Sequence, residues 1–300
     1  MSQEGLQISA MWNSWPSSAR WCVYFTVAQV LCCLLAHAFW DIGPLYKDVN
    51  EDEIALFTVA RYVLIIPLCC ITLFMFCEMG SSRPRSRALV ISRVCIFEFS
   101  VKISYYTMLS EGYDFAFWNQ RCVDYRPIYV TRWVGWSFAI PTLLFMNLYP
   151  IMDDETALAV LARIFPQQAA SWAYCWACCL GCLVPDPWMG WILNTLGCVA
   201  YIVVIVDEAV LVCDRLLTTS QPFLKGYSII VKECIFIIYT CIYLCGLWGF
   251  ASSYACQRFY TVTDISLKST MALLLFFYWA VDGFTRRGAA SEAASAEKAL

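Results

Sequence analysis

Lys268 closes the run Thr263-Asp264-Ile265-Ser266-Leu267-Lys268, so an aspartate sits one helical turn before a lysine on the same helix face. Both fall in an apolar stretch, and charges placed inside a membrane are costly and usually functional. A buried amine beside a carboxylate can be a structural ion pair, a proton or ion relay, or a Schiff-base lysine held protonated by its counterion. The pair alone leaves all three open. Glu98, Lys102 and Tyr106 follow one another at i,i+4 steps and form one stripe along a second helix. That stripe is either a polar pathway or a salt bridge that neutralises itself.

These residues need a scaffold, and composition says which solvent it faces. Of 300 residues 61% are hydrophobic and 14% charged, with a mean hydropathy of +0.62, more apolar surface than a water-soluble domain can hide. The net charge of −3 is small and scattered, so no nucleic-acid partner is expected, and the partner that composition implies is a lipid bilayer. A helix needs about 20 apolar residues to cross the hydrocarbon core. Eight runs qualify: Ala19 to Trp40, Ile54 to Phe76, Ala88 to Leu109, Ile128 to Tyr149, Ala157 to Val184, Met189 to Val212, Ile229 to Phe250 and Val262 to Val281. The fifth is interrupted near its start by Arg163 and Pro166. Basic loops at Arg83, Arg85 and Arg87, from Arg215 to Lys232, and at Arg286 and Arg287 mark one side as cytoplasmic. The acidic loop Asp41, Asp48, Glu51, Asp52 and Glu53 marks the other, and both termini fall inside. Asp153, Asp154 and Glu155 dissent.

The fourth run carries a longer pattern, Arg126-Pro127-Ile128-Tyr129-Val130-Thr131-Arg132-Trp133-Val134-Gly135-Trp136 followed by Pro141. It resembles the third helix of the bacteriorhodopsin fold, and Asp264-x-x-x-Lys268 resembles the retinal-attachment pattern of the same microbial (type-1) rhodopsin family. Phe236, Tyr239 and Tyr243 stand where that family has its aromatic series in the seventh run, and Gly246 and Gly249 follow at channelrhodopsin-like spacing. The resemblance implies an all-α membrane protein: a seven-helix retinal-binding bundle over 54–284, preceded by a cytoplasmic segment (1–18) and an additional transmembrane helix (19–40), and followed by a tail or linker (285–300). It implies retinal as cofactor, on Lys268, with Asp264 as counterion and Arg132, Tyr106 and Tyr239 around it. The implied pocket is Trp133, Gly135, Trp136, Ala139, Ile140, Pro141, Phe236, Thr240, Tyr243 and Leu267, with Glu98 and Lys102 extending a polar path.

The departures from the family bear on output. Thr240 replaces the proline usual after the second aromatic, and Phe236 and Tyr243 replace tryptophans. Gly135 stands where pumps place the carboxylate that accepts the Schiff-base proton, and Met146 stands at the proton-donor position. A pump needs both groups, so outward proton pumping is not expected and Asp264 is left as the main counterion. The eight-span layout resembles the sensory domains of enzyme-fused and bestrophin-fused rhodopsins, which implies a fused or associated effector. The alternative is a stand-alone light-gated channel, most readily for anions. A homo-oligomer is compatible with either, as is the plasma membrane of a eukaryotic microbe. No P-loop, dinucleotide fingerprint or hydrolase elbow is present, so no enzyme activity is expected.

The remaining candidates take plainer readings. His37 is expected to be a hydrogen-bonded packing residue, and no metal-ligand spacing recurs. The clusters Trp172, Tyr174, Trp176 and Trp188, Trp191 either line retinal or form an interfacial belt. Most of the 18 cysteines lie in apolar runs, where thiols act as small hydrophobes. Only Cys122 and Cys256 fall in segments placed outside, which leaves room for one bridge, between the two or between two subunits.

Overall fold

The structure is a computed structural model that describes residues 20, 24, 51–81, 85–112, 116–118, 127–152, 154–184, 186–217, 219, 222–274 and 276. The expected first span apart from Arg20 and Tyr24, the loop charges Asp41, Asp48, Arg83 and Asp153, His37, Cys122, Arg126 and the tail with Arg286 and Arg287 lie outside the described residues.

The other seven apolar runs are helical over most of their described residues. They form α1 (Glu51–Met79), α2 (Ser86–Ser110), α3 (Val130–Leu148), α4 (Ala157–Arg163) with α5 (Phe165–Leu183), α6 (Pro187–Leu216), α7 (Pro222–Leu247) and α8 (253–274). Between α2 and α3 lie two three-residue strands, β1 (Ala116–Trp118) and β2 (Pro127–Tyr129), paired antiparallel. Among the described residues three helices are long and apolar enough to cross a membrane by length and composition: α1, α6 and α7. The chain is an integral membrane protein. Trp188, Leu196, Val206 and Ile237 are among many large side chains that lie exposed on the helices, as expected where the surrounding solvent is hydrocarbon.

Capping and proline chemistry set the boundaries. The fifth run breaks at Ile164, where α4 ends and α5 restarts with Pro166 in its first turn, a position that needs no backbone N–H. Asp186 caps α6, its carboxylate accepting from Trp188 N at 3.1 Å. Helix α7 begins at Pro222, earlier than the Ile229 expected, and so takes Lys225 into a helix; Lys225 and Lys232 are both buried. It ends at Gly249, whose φ of 74° suits a residue without a Cβ, and Phe250 N returns to Cys245 O at 2.9 Å. Ser252 accepts from Ala255 N at 3.1 Å and starts α8, well before the expected Val262.

Helices α5 and α6 pack closely because small residues face each other. A Cβ on Gly181 would fall 2.7 Å from Asn194 Oδ1, and one on Gly197 only 2.5 Å from Cys178 Sγ. At the end of the bundle assigned to the cytoplasm by the basic residues, Arg87 donates to the carbonyls of Met152 and Glu155, each at 2.7 Å, and stacks 3.9 Å from the Tyr149 ring. Two of the dissenting acids, Asp154 and Glu155, are balanced here. Glu155 pairs with Arg163 at 2.6 Å, and Arg215 reaches both Asp154 and Glu155 at 3.4 Å.

Candidate functional site

Helices α2, α3, α7 and α8 bring the predicted charges into one buried site, but with crossed partners. Lys268 Nζ lies 2.5 Å from Glu98 Oε1, between α8 and α2, both residues being about 1–2% exposed. Thr142 donates to the other oxygen of Glu98 at 2.9 Å. Asp264, expected to serve Lys268, is paired instead with Lys102, whose Nζ lies 3.6 Å from Oδ2. The two i,i+4 pairs seen in the sequence are thus each opened and exchanged between helices.

Asp264 is the most heavily coordinated acid of the site. Tyr106 donates to Oδ2 at 2.7 Å, Tyr239 donates to Oδ1, and Trp136 Nε1 approaches Oδ1 at 3.4 Å. Tyr106 and Tyr239 thus both hydrogen-bond Asp264. Three donors and a cation keep a buried carboxylate charged where burial alone would disfavour it. Arg132 donates to Thr261 Oγ1 at 3.0 Å and faces the rings of Tyr105, Trp136 and Tyr260 at 5.5–5.9 Å. Its Nε and Nη1 have no hydrogen-bond partner among the described residues. The five charged groups comprise three cations and two carboxylates.

Beside these charges runs an apolar slot with Asp264 and Lys268 in its wall. Trp136 stands at its centre, with ring centroids 5.2 Å from Trp133, 5.4 Å from Tyr239 and 4.9 Å from Tyr260. Ala139, Ile140, Phe236, Thr240, Tyr243 and Leu267 also line it. Gly135 and Pro141 do not. Gly135 faces Lys102, whose Nζ lies 3.5 Å from the position of a Cβ there. Pro141 acts through the backbone: it has no N–H for the Ser137 carbonyl, and the Trp172 indole donates to that carbonyl instead at 2.7 Å. Met146 is buried at the donor position, its sulfur 3.1 Å from Cys95 Sγ.

The sequence matches no protein-family profile and no curated protein. Solved structures do match. Over 90% of this chain and 96% of that one, it is similar to the transmembrane domain and linker region of Salpingoeca rosetta rhodopsin phosphodiesterase, with a TM-score of 0.69 at 11% identity. Two light-driven proton pumps are also similar. The Leptosphaeria maculans pump gives a TM-score of 0.64 at 14% identity, covering 79% of this chain and 98% of that one. The Coccomyxa subellipsoidea pump gives 0.63 at 16%, covering 77% and 99%. The chain has the microbial rhodopsin fold.

Within the rhodopsin fold the slot suits retinal on the chemistry of its walls. A long apolar polyene needs aromatic and aliphatic contacts along its length and a primary amine at one end, which Lys268 provides. Tyr174, Cys175, Cys178, Gly197, Cys198 and Tyr201 complete the lining from α5 and α6. Of these only Tyr174 was a sequence candidate, and the small residues give no periodic signal apart from the packing they allow. Tyr243, in place of the family's tryptophan, uses its hydroxyl to contact Asn194 and to donate to the Cys178 carbonyl at 3.2 Å. Trp188 and Trp191 are 78% and 50% exposed, the position of a belt.

Proposed function

We propose that this chain is a retinal-binding light receptor that does not pump protons, with retinal on Lys268 and the Glu98/Asp264 carboxylates compensating the site's cations. The observation that carries it is the Lys268–Glu98 ion pair, 2.5 Å long, in the wall of an aromatic slot. When bound, retinal supplies a light-driven isomerisation about its polyene. The protein's own residues supply the rest. Lys268 anchors, Glu98 keeps a positive nitrogen stable in a site of low dielectric, and the aromatic walls restrict motion to one path. Lys102 beside Gly135 and buried Met146 replace both acids that an outward proton path would need. The reading includes coupling to a fused or associated effector in the plasma membrane of a eukaryotic microbe. Cells expressing the protein with retinal, illuminated in unbuffered medium, are expected to show no sustained, uncoupler-sensitive acidification. Steady acidification contradicts it.

The excess of one cation among Lys102, Arg132, Lys268, Glu98 and Asp264 favours a second reading, a light-gated anion channel. Against it, the cavity of about 320 Å³ between α1, α2 and α8 is lined mainly by apolar groups such as Ile66, Ile71, Phe74 and Leu273. Whole-cell recording separates the two, since a channel passes passive current under light and a receptor unit passes none.

A further inference from the structure

A second group of buried charges lies away from the slot, where α6 meets α7. Lys232 is fully buried between two acids: Glu208 of α6 is its ion-pair partner, and Glu233 Oε1 lies 2.8 Å from its Nζ. The Glu208 and Glu233 carboxylates thus meet at one ammonium. Glu208 is 1% exposed, and its Oε1, like Glu233 Oε2, is buried with no hydrogen-bond partner among the described residues.

We propose that Glu208 and Glu233 share one exchangeable proton beside Lys232, making the α6–α7 interface a proton-binding site separate from the slot. Two carboxylates meet at one fully buried ammonium, with the Glu208 side chain 2% and the Glu233 side chain 23% exposed, so one negative charge is left without a cation in a site poor in water. A proton on one of them turns repulsion into a hydrogen bond and leaves a neutral cluster. The other titratable groups near the pair are the phenols of Tyr174 on α5 and Tyr201 on α6, both close to Glu233. Asp207, adjacent in sequence, is exposed. The cluster also touches the slot. Lys232 Nζ lies 5.4 Å from the centre of the Phe236 ring, and Phe236, Tyr174 and Tyr201 are slot walls. Displacement of that wall would move the cation that balances the remaining carboxylate charge and so change how tightly the proton is held.

Infrared spectroscopy of the full chain in lipid nanodiscs without retinal tests this site through the carbonyl stretch of a protonated carboxylic acid. The wild type is expected to show such a band. Glu208→Gln and Glu233→Gln should each abolish it, because either change removes the repulsion that holds the proton and leaves the surviving acid ionised by Lys232. Lys232→Met should retain it. Absence of the band in the wild type overturns the proposal, and so does its survival in either Gln variant, which would assign the proton to another group. Because the measurement needs no retinal, its failure is distinct from failure of the photoreceptor reading.

Discussion

Lys102 Nζ lies 3.5 Å from where a Cβ on Gly135 would sit, so an ammonium borders the place where a pump carries its proton-accepting carboxylate. The distance is an ordinary van der Waals contact, and Gly135 lies inside α3. Gly135→Ala should therefore fit without displacing Lys102. Removing a glycine from a helix interior favours folding by about 0.5–1 kcal/mol. Thermal unfolding of the retinal-free protein should show an unchanged or slightly higher midpoint, and a marked fall would mean that Lys102 is packed more tightly against α3 than described.

The crossed ion pairs make a second prediction. Lys102→Met leaves Asp264 buried without its cation, and breaking such a pair costs about 3–5 kcal/mol. The double variant Lys102→Met/Asp264→Asn should recover a large part of that loss, because neither charge is then left alone. Denaturant unfolding of the two single variants and the double variant reads the coupling. Strict additivity would show that the pair does not interact.

Helix existence was legible in the sequence, and partner choice was not. Apolar runs starting at Ala88, Met189 and Ile229 locate α2, α6 and α7, because a chain in hydrocarbon must satisfy its backbone internally, but the prolines that open α6 and α7, Pro187 and Pro222, were not read as their starts. The break at Ile164 was visible through Arg163 and Pro166. In contrast, Asp264 with Lys268 and Glu98 with Lys102 each looked self-sufficient at i,i+4. Spacing along one helix carries no information on which neighbour it faces, so the exchange of partners across α2 and α8 appears only in three dimensions. Glu208 and Lys232 were missed for a related reason. Lys232 was grouped with the basic loop, although it sits in an apolar run, and a lone charge in such a run was the available signal.

The geometry orders the two carboxylates by their effect on colour. With retinal attached, Glu98→Gln should convert the pigment to a near-ultraviolet form near neutral pH, since the positive nitrogen loses its nearest anion. Asp264→Asn should retain more of the visible band, because Asp264 is engaged by Lys102, Tyr106 and Tyr239. Absorption spectra recorded across pH for both variants test this, and the reverse order would reinstate Asp264 as the principal counterion.

Trp172 replaces the hydrogen bond that Pro141 removes, donating to Ser137 O at 2.7 Å. Trp172→Phe should destabilise the protein by about 1–3 kcal/mol through the orphaned buried carbonyl. Pro141→Ala in the same chain restores an N–H to that carbonyl and should reduce the loss. Unfolding midpoints of the three variants check it, and no rescue would place the role of Trp172 in packing alone.

Attachment of retinal to Lys268 is the central claim, and absorption spectroscopy tests it most directly. Purified protein incubated with all-trans retinal is expected to develop a visible band, and Lys268→Ala to abolish it while remaining folded by circular dichroism. A visible pigment that survives Lys268→Ala would contradict the account and move the attachment point, with Lys102 the amine to substitute next.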